Sequence, residues 1–72
     1  MTLDRVKRGQ SFTIKAIPDA NVRAQAIRLG MAGGSPVVCE EVIPAGPVVI
    51  RCNRQLIALG RGLARRINID LT

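Results

Sequence analysis

Polar and apolar residues alternate from Ser11 to Ile17, with Phe12, Ile14 and Ala16 on one side and Thr13 and Lys15 on the other. A period of two sends successive side chains to opposite faces, so this stretch predicts a half-buried strand that Pro18 closes. The period then changes. Val22, Ala26 and Leu29 recur at i, i+4 and i+7, with Arg23 and Arg28 among the polar positions, which predicts a short amphipathic helix. Asp19 or Asn21 supplies its N-cap, because a short side-chain oxygen accepts from the free amides of the first turn. Leu29-Gly30 ends it: glycine suits the left-handed C′ position, and Met31 at C″ can fold back on Ala26 at C3. Gly33-Gly34 frees the backbone again, and Pro36 cannot continue a helix. So short a helix does not persist alone in water and must dock on a sheet.

Two further β-branched, apolar runs follow, Pro36 to Ile43 and Val48 to Asn53, joined by Pro44-Ala45-Gly46-Pro47. Turn residues of this kind between two strand patterns predict a β-hairpin, with the prolines outside the central ladder. Ahead of the first strand, Thr2 to Val6 holds a single helical turn at most, and Gly9 turns the chain. From Arg54 to Ile69 the spacing of Leu56, Leu59, Leu63 and Ile67 is helical, yet Gly60 and Gly62 would each cost about 1 kcal/mol in a helix interior. The better division is a strand at Gln55–Leu59, a helical turn at Arg61–Arg66 and a last edge strand at Ile67–Leu71. About five short strands with one helix after the first close most easily as a small, mainly β barrel, since a flat sheet would leave a face and two edges bare.

The 72 residues fit one small domain over 1–72, with a thin core. That core must be aliphatic, because Phe12 is the sole aromatic. There is no histidine either, which removes the commonest general base and metal ligand. A cysteine nucleophile would lack its usual partner, and no catalytic residue is assigned. Gly30, Gly33 and Gly34 make a glycine-rich loop that follows a helix and precedes a strand, the reverse of the order phosphate loops need.

Eleven Lys and Arg against five acids give a net charge of +6, which favours acidic partners. Arg5, Lys7 and Arg8, and again Arg61, Arg65 and Arg66, form basic clusters able to meet phosphates. Nucleic-acid barrels also stack bases on exposed aromatics, and this chain has none to spare. Cys39 and Cys52 lie on the two arms of the hairpin. A turn centred near Ala45 sets them nearly across from each other, while a one-residue slip puts them on opposite faces. Two thiolates fall short of the four ligands of structural zinc, and buried small hydrophobes is the commoner role. No cofactor is assigned beyond weak transition-metal binding at that pair. Neither a signal peptide nor an apolar run of about 20 residues is present, so a cytoplasmic setting with free thiols and no membrane insertion is expected.

Leu3-Asp4-Arg5-Val6 with Gly9-Gln10, Leu29-Gly30-Met31 with Gly34 and Val37, Gly46-Pro47 before Val49, and Ala58-Leu59, Ala64 and Ile67 form an ordered set. In order and spacing it resembles the FeoA family, small cytosolic proteins associated with bacterial ferrous iron transport. The resemblance implies an SH3-like barrel with a helix inserted after the first strand, and a non-catalytic role. It also implies a partner, a FeoB-like membrane iron transporter that carries a cytosolic GTPase domain. Gln25 and Ala26 stand where the family usually has Arg-Leu, and Gly33-Gly34 where its turn has Pro-Gly. The expected docking edge comprises Val22, Arg23, Ala26, Arg28, Leu29, Gly30, Met31 and Gly34, a glycine-rich loop beside an apolar helix that a thin core leaves partly uncovered. Two other readings are a basic barrel on nucleic acid and a homodimer bridged by metal through Cys39 and Cys52.

Overall fold

The computed structural model describes residues 1–31, 34 and 36–72. Five strands, β1 (Ser11–Ala16), β2 (Val37–Val42), β3 (Val48–Cys52), β4 (Gln55–Leu59) and β5 (Asn68–Leu71), make one sheet in the order β4-β3-β2-β1-β5. Every pairing is antiparallel. Helix α1 (Ala20–Arg28) is inserted between β1 and β2, and a single turn, α2 (Arg61–Ala64), joins β4 to β5. This is the mainly β arrangement, with a helix after the first strand, that the alternating pattern predicts.

Among the described residues sixteen buried side chains form the core, from Leu3 and Val6 through Phe12, Val22 and Ala26 to Ile67 and Ile69, and none of them is charged. Phe12, wholly buried, is its largest member. No long helix forms here: α2 is only four residues long, with Gly60 outside it as the N-cap and Gly62 within its single turn.

The stop of α1 forms as its sequence dictates. Asp19 caps the helix, its carboxylate accepting from the amides of Asn21 and Val22 at 2.9 and 3.2 Å. At the other end Gly30 takes φ 79°, a left-handed conformation that strains any residue with a Cβ. The Met31 amide then donates to the Ala26 carbonyl at 2.9 Å, and the Gly30 amide to that of Ile27 at 3.1 Å. That pair of bonds is a Schellman stop, and it delivers Met31 into the core beside Ala26. Leu29 is therefore not the third residue of the core stripe. It is the C-cap, 37% exposed, because Met31 has taken the place beneath the helix. Gly33 lies outside the described residues, and Gly34 is exposed.

Two other expectations are corrected by the sheet. A bulge between Ile14 and Ala16 breaks the alternation of β1, so Ala16 turns out to solvent while Ile14 stays partly buried against the core. β5 is the edge strand its pattern predicts, and the start of the chain covers its outer side: Leu3 donates to the Ile67 carbonyl at 2.9 Å, Ile69 to that of Met1 at 2.8 Å, and Thr2 pairs with Asn68. Cys39 and Cys52 are not opposite each other. The turn after β2 sets Val42 against Val48, and a bulge between Cys39 and Glu41 slides Cys39 opposite Ile50.

The β3–β4 connection is two residues long, since Cys52 pairs with Gln55. Asn53 and Arg54 both carry positive φ, 50° and 68°, as the tight mirror-image turn of a hairpin demands.

Candidate functional site

Beyond its bulge, β1 runs into Ile17 and Pro18, and α1 crosses back over this end of the strand. A groove of about 600 Å³ opens between them. Ile14, Ile17, Ala26 and Met31 make its apolar floor, and Ile27, 57% exposed, stands on its lip. The site is built by a mismatch of periods. Val22 and Ala26 face the core, but Ile27 falls five residues after Val22 and must point elsewhere on a helix of 3.6 residues per turn. With Leu29 also exposed, α1 presents two aliphatic side chains to solvent at its C-terminal end.

Two cations, Lys15 and Arg23, line the groove together with these apolar residues. The Arg23 guanidinium is held in place by backbone, Nε donating to the Ile17 carbonyl at 3.2 Å and Nη2 to that of Pro18 at 3.4 Å. Among the described residues neither cation has an acid within salt-bridge distance, and the two ion pairs there are Arg51 with Glu40 and Arg66 with Asp19. Asp19, the acid nearest in sequence, is engaged by the amides of α1 and by Arg66 at 3.3 Å. No acidic residue lines the groove among the described residues.

The docking edge expected from the sequence divides in two. Arg23, Arg28, Leu29, Gly30 and Gly34 are on the surface, whereas Val22, Ala26 and Met31 are almost wholly buried and act from below. Of the buried three, Ala26 and Met31 reach the groove as floor. Lys15, Ile17, Pro18 and Ile27 were not anticipated. Ile27 alone carried a readable signal, being aliphatic on the wrong face of the predicted helix.

The cysteines belong to the core, each less than 3% exposed. The Cys39 thiol points to the Glu41 carbonyl at 3.8 Å, and the Cys52 thiol donates to the Gly30 carbonyl at 3.3 Å. Burial first, then the charges of Glu40 and Glu41, push the Cys39 thiol above its ordinary value of 9.0, against the lowering effect of the Glu41 backbone contact. Among the described residues no three His, Cys, Asp or Glu side chains come together as a metal site. Arg61, grouped in the sequence with Arg65 and Arg66 as a phosphate contact, is committed elsewhere: its guanidinium donates to the carbonyls of Gly46, Asp4 and Ile43 at 2.8, 3.2 and 3.1 Å.

These features define a class, the small SH3-like barrel with an inserted helix and an apolar groove beside it. Residues 1–71 match the FeoA domain model, and the chain belongs to the FeoA family, which is implicated in ferrous iron transport. Among solved structures, the crystal structure of an iron uptake regulatory protein (FeoA) superposes with TM-score 0.89 at 25% identity, over 100% of this chain and 97% of that one. The zinc complex of Stenotrophomonas maltophilia FeoA, a prokaryotic SH3 domain protein, gives 0.80 at 22% identity over 97% and 89%. The fold also recurs in the manganese regulator SloR, at TM-score 0.86 and 16% identity, where this chain covers 34% of the longer protein. No curated protein matches the sequence.

Proposed function

We propose that this protein is a non-catalytic accessory factor of ferrous iron uptake, acting in the cytoplasm by binding the GTPase-bearing cytosolic part of a FeoB-like transporter. The observation that carries the reading is the groove between β1 and α1, with Ile27 exposed on its lip and Leu29 exposed at the same end of the helix, on a barrel of an iron-transport family. Exposed aliphatic residues around a concave floor are what a partner surface buries. A sequence without histidine supports a binding role over a catalytic one. The Stenotrophomonas maltophilia relative has itself been put forward as a bacterial ferrous iron transport activating factor. No helix among the described residues is long and apolar enough to cross a membrane.

Titration calorimetry of the chain with that cytosolic part tests the reading. Saturable binding is expected, and Ile27→Ser with Leu29→Ala weakens it by about tenfold or more while circular dichroism stays unchanged. Absence of any binding, to the isolated part and to the detergent-solubilised transporter alike, overturns it.

A further inference from the structure

We infer that the groove recognises a short segment that combines two or three aliphatic side chains with a neighbouring carboxylate, the aliphatics on the floor and the carboxylate against Arg23 and Lys15. The inference rests on the reading that the partner is the transporter's cytosolic part, and it names the chemistry of the segment that docks.

The volume is the first ground. At about 600 Å³ the groove lies inside the range of roughly 300–1,000 Å³ in which pockets take up drug-sized groups, a size that a few side chains match. Its floor of Ile14, Ile17, Ala26 and Met31 offers no polar side chain, so whatever enters must be apolar at depth.

Charge decides the rest. Arg23 and Lys15 are both exposed and, among the described residues, both without an acidic partner. Arg23 is also held in place: two of its five N–H groups are bonded to the carbonyls of Ile17 and Pro18, which leaves the others on a fixed fork. A guanidinium already fixed loses little freedom on meeting a carboxylate, and bidentate pairing with a carboxylate is the geometry it favours. Asp19, the one acid near enough in sequence to compete, is occupied by the α1 amides and Arg66. A net charge of +6 adds long-range attraction for an acidic segment. A nucleic-acid strand fits this site poorly, because Phe12, the only aromatic, is wholly buried and the floor gives phosphates nothing.

The test uses overlapping short peptides that tile the transporter's cytosolic sequence, titrated into the isotope-labelled full chain and followed by amide shifts. The peptides that bind should carry an Asp or Glu beside at least two aliphatic residues, and should shift the resonances of Ile14 to Pro18 and of α1. Lys15→Gln with Arg23→Gln should weaken them by about tenfold at low salt and by less at high salt. Lys15→Gln alone, whose side chain makes no hydrogen bond, should give part of that loss and guards against a folding effect. Replacing the peptide's acid by Ala should cost about the same, with the two losses less than additive. Peptides without an acid binding equally well, or shifts confined to another face, overturn the inference. So does binding of polyuridine RNA that competes for the same resonances. If the intact cytosolic part binds yet is indifferent to both charge variants, the segment chemistry is wrong and the partnership survives. If it does not bind the unmodified chain, the partnership itself falls.

Discussion

Arg61 is a surface cation in sequence and a structural tie in the folded chain. Its three carbonyl partners lie in the β2–β3 turn and in the first turn of the chain, two segments that share no ladder. The β2–β3 turn is tight enough that a Cβ on Gly46 would come within 2.8 Å of the Ile43 side chain, so its carbonyls are held where the guanidinium can reach them. Arg61→Lys keeps the charge but cannot span three acceptors, and should cost about 1–2 kcal/mol, lowering the thermal midpoint by roughly 5–15 °C in a scanning experiment. Cys39 gives a second prediction at this scale. Its folded pKa lies above the unfolded one, so between the two the native state holds a proton that the unfolded chain has released. Stability is then full below the unfolded thiol's pKa and falls as pH rises through the folded one. Thermal midpoints should decline above about pH 9, and Cys39→Ala, although less stable throughout, should flatten that decline.

Among the elements, the two-residue turn between β3 and β4 departs from its ideal chemistry. Arg54 sits at φ 68°, where a Cβ is strained and glycine is the preferred residue of an Asn-Gly hairpin. Arg54→Gly should raise the unfolding free energy by about 0.5–1 kcal/mol without altering the groove, which chemical denaturation of the two chains will show as a higher midpoint at unchanged slope. The ends of α1 were legible in outline, Gly30 at C′ and Met31 folded back on Ala26, because a C′ glycine encodes backbone geometry locally; the choice between Asp19 and Asn21 as N-cap and the outward turn of Leu29 were settled by the fold. The strand positions were legible as well, for the same reason of short-range pattern. What sequence could not give was anything fixed by a bulge. One extra residue in β1 turned Ala16 outward, and another in β2 moved Cys39 from its expected partner to Ile50. Bulges are set by how neighbouring strands coil around the core, which is a non-local property. The groove was half legible: Arg23, Ala26 and Met31 were named, but its strand side, from Ile14 to Pro18, required knowing which way the helix folds back.

At the scale of the whole molecule the charge is excessive for stability and suited to encounter. Among the described residues only Arg51 and Arg66 of the eleven basic residues make ion pairs, both exposed, and such pairs contribute about 0–1 kcal/mol each. Raising salt should therefore leave the unfolding midpoint nearly unchanged. Association with an acidic partner should respond differently, its rate constant falling about tenfold or more from low to high ionic strength in stopped-flow mixing. A parallel loss of stability would show that the cations are structural after all.

The carbonyl of Gly30, the residue that ends α1, accepts from the Cys52 thiol at 3.3 Å and from the Asn53 side-chain amide at 3.4 Å. Two remote corners of the barrel thus hang from one oxygen. A ligand that pries α1 away from β1 pulls on that oxygen and must either stretch both bonds or carry the β3–β4 corner along with it. The Asn53 amide protons are therefore a built-in strain gauge, readable by nuclear magnetic resonance at a place no ligand needs to touch.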